Sequence, residues 1–178
     1  MYTPDGYAEI IQTFGNPFKA DLTVDEVWTR KNIATVTPPP DWKLYYQQDA
    51  GIVRVSGMQL HRALHDSFTL VMTDIWNHAA AELGAAATTQ SIQTWLHASR
   101  LDLYGGSYNP RLKRGGNAPS LHSWGIAIDW DPLNNPRKKP LTRTLPNWWY
   151  DIWALHGWSD GRAWKTPDPM HVQFATGA

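Results

Sequence analysis

The sequence predicts an α+β protein whose helices come mostly ahead of the strands that carry its chemistry. Three observations support this. Apolar residues from Leu60 to Ala79 recur at three- and four-residue steps, and two later segments, 124–130 and 170–174, alternate with a period of two. The two patterns follow one another along the chain instead of interleaving as a doubly wound sheet requires. With 178 residues, the chain is expected to form one domain over 1–178, an irregular wrap at 1–59 and a core at 60–178.

Residues 1–59 offer a short helical stretch around Ala8 to Phe14, then Thr37-Pro38-Pro39-Pro40, which ends any regular element. The long helix that follows has Leu60, Leu64, Phe68, Val71, Met72, Ile75, Trp76 and Ala79 as its buried stripe and stops near Gly84. His61, His65 and His78 fall within it. No acidic residue lies between His61 and His65 as in HExxH, so surface or capping roles are expected. A second helix covers Ser91 to Ser99, Leu101-Asp102-Leu103-Tyr104 alternates as a strand, and Gly105-Gly106 breaks it. Asn109 to Ser120, rich in Gly, Pro, Asn and Arg, reads as a loop. A last helix spans Asn147 to His156, with Trp148, Ile152 and Leu155 on one side and Gly157 as its stop.

Composition narrows the function classes. Lys and Arg number 16, as do Asp and Glu, so the formal net charge is zero and no electrostatic footprint for nucleic acid or an anionic membrane exists. No apolar run approaches the ~20 residues of a spanning helix, and a soluble chain without a membrane span is expected. Met1-Tyr2-Thr3-Pro4-Asp5-Gly6 has neither a basic nor an apolar leader region, so synthesis in a cytoplasm without a signal peptide is expected. Cysteine is absent, which leaves His, Asp and Glu to hold any metal. The 11 Trp suit a core or a groove equally well. Trp124, Trp130, Trp148, Trp149 and Trp164 are assigned to the core by default, with one or two able to wall a groove.

In segment 124–130, Trp124, Ile126, Ile128 and Trp130 share one face, and Gly125, Ala127 and Asp129 share the other. Two minimal side chains beside a carboxylate suit a ligand or metal lying against a sheet. His122 precedes this strand, and His171 shares a face with Gln173 in the last one. His122, Asp129 and His171 make a two-histidine, one-carboxylate set, the composition of a catalytic zinc site with an open fourth position. The same set can hold iron, although oxygenase triads usually take their first two ligands from a close His-x-Asp/Glu pair, which favours zinc. On spacing alone, a loop histidine, a strand-end carboxylate and a satisfied core histidine explain the three residues equally well. Asp168, held between Pro167 and Pro169, is a fixed carboxylate suited to a general base, or simply the start of a turn.

Ser120-Leu121-His122-Ser123-Trp124-Gly125-Ile126-Ala127-Ile128-Asp129, followed by Asp168-Pro169-Met170-His171, resembles the S-x-H-x-x-G-x-A-x-D and E/D-x-x-H motifs of a known family. It is that of the zinc D,D-carboxypeptidases and L-alanyl-D-glutamate endopeptidases, VanX/VanY-like peptidoglycan peptidases with the hedgehog/DD-peptidase fold. The resemblance covers residues 104–175. It implies a small antiparallel sheet carrying the site, packed by helices, with one zinc on His122, Asp129 and His171 and Asp168 as catalytic base. It also implies an arginine that binds a substrate carboxylate or carbonyl. Tyr108-Asn109-Pro110-Arg111 looks like the family's G-Y-R turn, so Arg111 is the first candidate, Arg114 the second, and Ser120 a possible hydrogen-bonding neighbour. The implied partners are peptidoglycan stem peptides, cut by a monomeric, phage endolysin-like enzyme released through a holin.

Three other readings of these residues compete. A serine hydrolase on Ser120 or Ser123 lacks the G-x-S-x-G elbow. A calcium loop from Asp129 fails because Asn134 and Pro140 stand where Gly and Glu are required. A catalytically silent zinc-holding domain for cell-wall or partner recognition is the stronger rival, and Asp168 speaks against it, since such a domain needs no base.

Overall fold

A computed structural model describes residues 1–39, 41–48, 51–113 and 115–178; Arg114 and Pro40 lie outside the described residues. The chain opens with α1 (Gly6–Phe14) and α2 (Glu26–Asn32), the latter capped by Asp25, whose carboxylate accepts from the backbone nitrogens of Val27 and Trp28. Four strands follow, β1 (Ile33–Val36), β2 (Leu44–Gln48), β3 (Gly51–Val55) and β4 (Met58–His61), before the central helix α3 (His65–Leu83) and α4 (Thr89–Ala98). Then come β5 (Leu103–Gly106), β6 (Ala127–Trp130), α5 (Asn147–Leu155), β7 (Ser159–Gly161) and β8 (Asp168–Gln173). Strands β1 and β4 form a two-stranded antiparallel sheet. The other six form a sheet in the order β3-β2-β5-β6-β8-β7, antiparallel except for the parallel pair β2 and β5. The fold is thus α+β. Among the described residues, no helix is long and apolar enough to cross a membrane.

Several local expectations are corrected. Residues 1–59 are not irregular: two helices and three strands lie within them, and β2 sits inside the six-stranded sheet between β3 and β5. These strands are four or five residues long, and Leu44-Tyr45-Tyr46-Gln47-Gln48 has no clean alternation for a sequence reading to detect. Leu60 belongs to β4, opposite Ala34, and a short 3₁₀ turn at Arg62–Leu64 intervenes before α3 starts at His65. Leu60 and Leu64 are both fully buried, so they fit the helical period although they come from other elements. Gly105 and Gly106 lie inside β5 instead of breaking it. A Cβ on Gly105 would come within 2.6 Å of Pro132 Cγ, so this close approach is what glycine permits there. On α5, the inward residues are Trp149, Tyr150 and Trp153, while Leu155 is 75% exposed.

The core carries most of the tryptophan. Trp130, Trp149, Trp153 and Trp158 make tilted or edge-on pairs with centroids 4.9–6.1 Å apart, and Phe174 continues the stack. This aromatic layer lies behind β6 and β8, through Ile128, Trp130, Val172 and Phe174. Their opposite faces are left for Asp129 and His171.

Candidate metal centre and cleft

Strand pairing positions the centre. In the antiparallel pair of β6 and β8, Asp129 stands directly opposite His171 and Ala127 directly opposite Gln173, so all four side chains project from one face. Ala127 is small where Gln173 needs room beside it. His122 comes from a 3₁₀ turn, Leu121–Trp124, which Gly125 ends in the left-handed region at φ 65°. Segment 124–130 is therefore a turn followed by a four-residue strand, not one continuous strand. Gly125 is explained by its conformation and by its neighbours, since a Cβ there would lie 2.9 Å from Ile33 Cδ1 and 3.0 Å from the His61 nitrogen. It does not face a ligand.

His122, Asp129 and His171 each place one potential ligand atom within 4.8 Å of the others. His122 Nε2 is 3.4 Å from Asp129 Oδ2, and His171 Nδ1 is 2.9 Å from Asp129 Oδ1. The outward nitrogens are each held: His122 Nδ1 donates to the Ser107 carbonyl at 2.7 Å, and His171 Nε2 donates to Gln173 Oε1 at 3.0 Å. These bonds leave His122 Nε2 and His171 Nδ1 as the nitrogens facing Asp129; His171 Nδ1 donates to Asp129 Oδ1, and loss of that proton would free its lone pair for a metal, with the outer-shell bonds expected of metal-binding histidines already in place. Burial alone would raise the Asp129 carboxyl, but the charges and hydrogen bonds of His122 and His171 outweigh it and hold the group well below the usual carboxylate range. Burial likewise disfavours a charged His171, and Asp129 reverses that shift upward. The donor set fits zinc: two neutral imidazoles and one carboxylate on rigid elements.

Asp168 opens β8 on the same side. It is buried, its Oδ1 has no hydrogen-bond partner, and burial pushes its carboxyl up despite the opposing charges of His171 and Arg137. The four residues line a hollow of about 430 Å³ that also takes in Arg111, Ser120 and Trp164. Trp164 lies with its ring 5.2 Å from that of His171, so it walls the hollow, whereas Trp124, Trp130 and Trp149 are core and Trp148 stacks on His78. A second hollow, of about 280 Å³, shares Arg111, His122 and Asp129 with the first and extends along Tyr46 and Gly105 to Asn109.

The loop at 109–120 is tied to the centre through Arg111. Its backbone nitrogen donates to Ser123 Oγ at 3.0 Å, Ser123 Oγ donates back to the Arg111 carbonyl at 2.9 Å, and the Ser120 nitrogen donates to that carbonyl at 2.9 Å. Ser123 is fully buried and serves this clamp. The structure thus brings Arg111 and Ser120 to the cleft; Arg114 lies outside the described residues. Sequence reasoning missed Arg137, whose Nε is 3.7 Å from Asp168 Oδ2, because a lone arginine in a basic loop carries no spacing signal. It also missed the Ser107 carbonyl, since a backbone group has no residue type to betray it. Among the remaining histidines, His61 does cap a turn, accepting from the Ala63 nitrogen, but it is buried.

Residues 114–174 match the model of a peptidase family described as D-alanyl-D-alanine carboxypeptidase. The match covers about a third of the 178-residue chain and includes His122, Asp129, Asp168 and His171; Arg111 lies just before it. No curated protein and no solved structure matches the chain.

Proposed function

We propose that the chain is a single-domain, monomeric zinc metallopeptidase of the peptidoglycan stem peptide, with a hedgehog/DD-peptidase-like fold. The observation that carries this reading is the meeting of two oriented imidazoles and a carboxylate beside a buried, partly unpartnered carboxyl, within the stretch that matches the peptidase family. His122 Nε2, Asp129 and His171 Nδ1 would hold the metal. Zinc bound there supplies Lewis-acid polarisation of a peptide carbonyl and a water acidified to a pKa of about 7. Asp168, whose side chain lines the hollow beside the centre, takes a proton and returns it to the leaving amine. Arg111, its backbone clamped on both sides, stabilises the carbonyl oxygen or grips a substrate carboxylate.

The two hollows that share His122 and Asp129 leave room for a peptide on both sides of the centre. This supports cleavage within the stem, at L-Ala-D-Glu, over removal of a terminal D-Ala. The endolysin role, with release from the host cytoplasm through a holin to the cell wall, rests on the motifs' resemblance alone. The test is digestion of purified peptidoglycan by the zinc-loaded chain, with mass spectrometry of the muropeptides. New D-Glu amino termini are expected. Loss of terminal D-Ala alone would move the reading to a carboxypeptidase, and no product at full zinc occupancy would leave the silent binding domain.

A further inference from the structure

The described lining of the larger hollow holds four cationic side chains, Arg111, Lys113, Arg137 and Lys165, against two acidic ones, Asp129 and Asp168. Asp129 is taken up by His122 and His171, so positive charge is in excess inside the cleft of a chain that is neutral as a whole. Three arginines of the fold are committed to partners, whereas Arg137, like Arg111 in the same hollow, has no side-chain hydrogen bond among the described residues. Arg100 places two hydrogen bonds on Asp131 at 2.9 and 2.7 Å, and Arg162 grips Asp160 through Nε and Nη2. Arg143 is engaged by the Leu145 carbonyl and Asn147. Arg137 has only the 3.7 Å approach of its Nε to Asp168 among the described residues, longer than a hydrogen bond, and its side chain is 49% exposed. Its two terminal nitrogens remain available.

The backbone around it is nevertheless fixed. Asn135 is fully buried, donating to the Asp131 carbonyl at 3.0 Å and accepting from the nitrogens of Thr144 and Leu145 at 2.8 and 3.1 Å. On the other side, the Lys138 nitrogen donates to the Pro167 carbonyl at 3.1 Å, next to Asp168. Arg137 is thus a free guanidinium fork on an anchored stem. It borders the larger hollow only, whereas Arg111 borders both.

We propose that Arg137 is a specificity residue whose guanidinium fork receives a carboxylate of the substrate, on the side of the cleft lined by Trp164 and Lys165. The proposal rests on the reading of this cleft as a peptide site. A planar fork matches a carboxylate with two parallel hydrogen bonds, which an amide in the same place cannot return. In a stem peptide the carboxylate comes either from the free chain end or from an acidic residue within the chain.

The test is calorimetric binding to the metal-free chain, which does not depend on hydrolysis. Three synthetic stem peptides serve as probes: one with both carboxylates free, one amidated at the internal acid, and one amidated at the terminus. Amidating one of the two is expected to weaken binding to the wild type about tenfold, and the amide that matters identifies the source. Arg137→Gln should lose about tenfold on the free peptide and nothing further on that amide, with an unchanged thermal midpoint; Arg137→Lys should recover little. Equal binding of all three peptides by the wild type overturns the proposal. So does an equal loss on all three in Arg137→Gln, which would mean that the residue acts through Asp168 or the fold. Digestion of peptidoglycan by the zinc-loaded wild type judges the peptidase reading separately.

Discussion

Gln173 Oε1 lies 3.0 Å from His171 Nε2, while the amide nitrogen of Gln173 is committed to the Ala175 carbonyl at 3.0 Å. The amide is therefore oriented, its oxygen can only accept, and His171 must carry its proton on Nε2. Removing this bond frees the ring to rotate and to change tautomer. Gln173→Ala is expected to weaken zinc affinity by about 10- to 100-fold, measured by competition with a chelator. Unchanged affinity would show that Asp129 alone orients the ring.

The centre itself is tested by His122→Ala, Asp129→Ala and His171→Ala. Each leaves two ligands, and each should abolish stoichiometric zinc in elemental analysis. Full occupancy in all three variants would remove the assignment.

Asp168→Ala should keep the metal and lose at least about 10²-fold in peptide hydrolysis, the usual scale for a general base. Near-wild-type turnover would assign the proton to another group.

Arg111→Ala is expected to lower kcat/KM on the order of 10²-fold with zinc content unchanged, because a charged hydrogen bond in the transition state is lost while Ser123 still clamps the backbone. Arg111→Lys should rescue little, since a point charge cannot reproduce the fork. Full activity in Arg111→Ala together with loss in Arg114→Ala would transfer the role to Arg114.

The chain should also lose stability on mild acidification. Burial between Phe14 and Trp28 depresses His61 from 6.5 to about 4. The unfolded chain therefore takes up this proton more readily than the folded one. The contribution is complete above pH 6.5 and is lost as pH falls from 6.5 toward 4, by up to about 3 kcal/mol. His61→Asn keeps a side-chain acceptor for the Ala63 nitrogen and removes the titration, so its denaturant midpoint should fall less steeply between pH 7 and 4.5. Parallel slopes for the two proteins would rule His61 out.

What the sequence made legible follows from scale. The long period of α3 and the alternation around Ile128 and Val172 are patterns of enough residues to read, and they place Asp129, His171 and Gln173 on one face. His122 is brought to them by a turn; its place just before the strand makes it a candidate, on which spacing alone is evenly divided until the resemblance to known motifs marks it. Strands β1 to β4 escaped because they are short and no motif flanks them as one flanks β6, and two of their pairings are not local, β1 with β4 and β2 with β5. Arg137 escaped for a different reason. Its importance lies in an unused fork, a property of contacts and not of sequence.

The two ends of the chain are hydrogen-bonded to one another, and the C-terminal one reaches the cleft. The Gly6 nitrogen donates to the Thr176 carbonyl, the Thr176 nitrogen donates to the Pro4 carbonyl, and Ala178 belongs to the lining of the larger hollow. Whatever is joined after Ala178, an affinity tag or a fusion partner, therefore starts at the lining of the larger hollow. A label intended to leave that hollow clear belongs on β3, at the far edge of the sheet from β7.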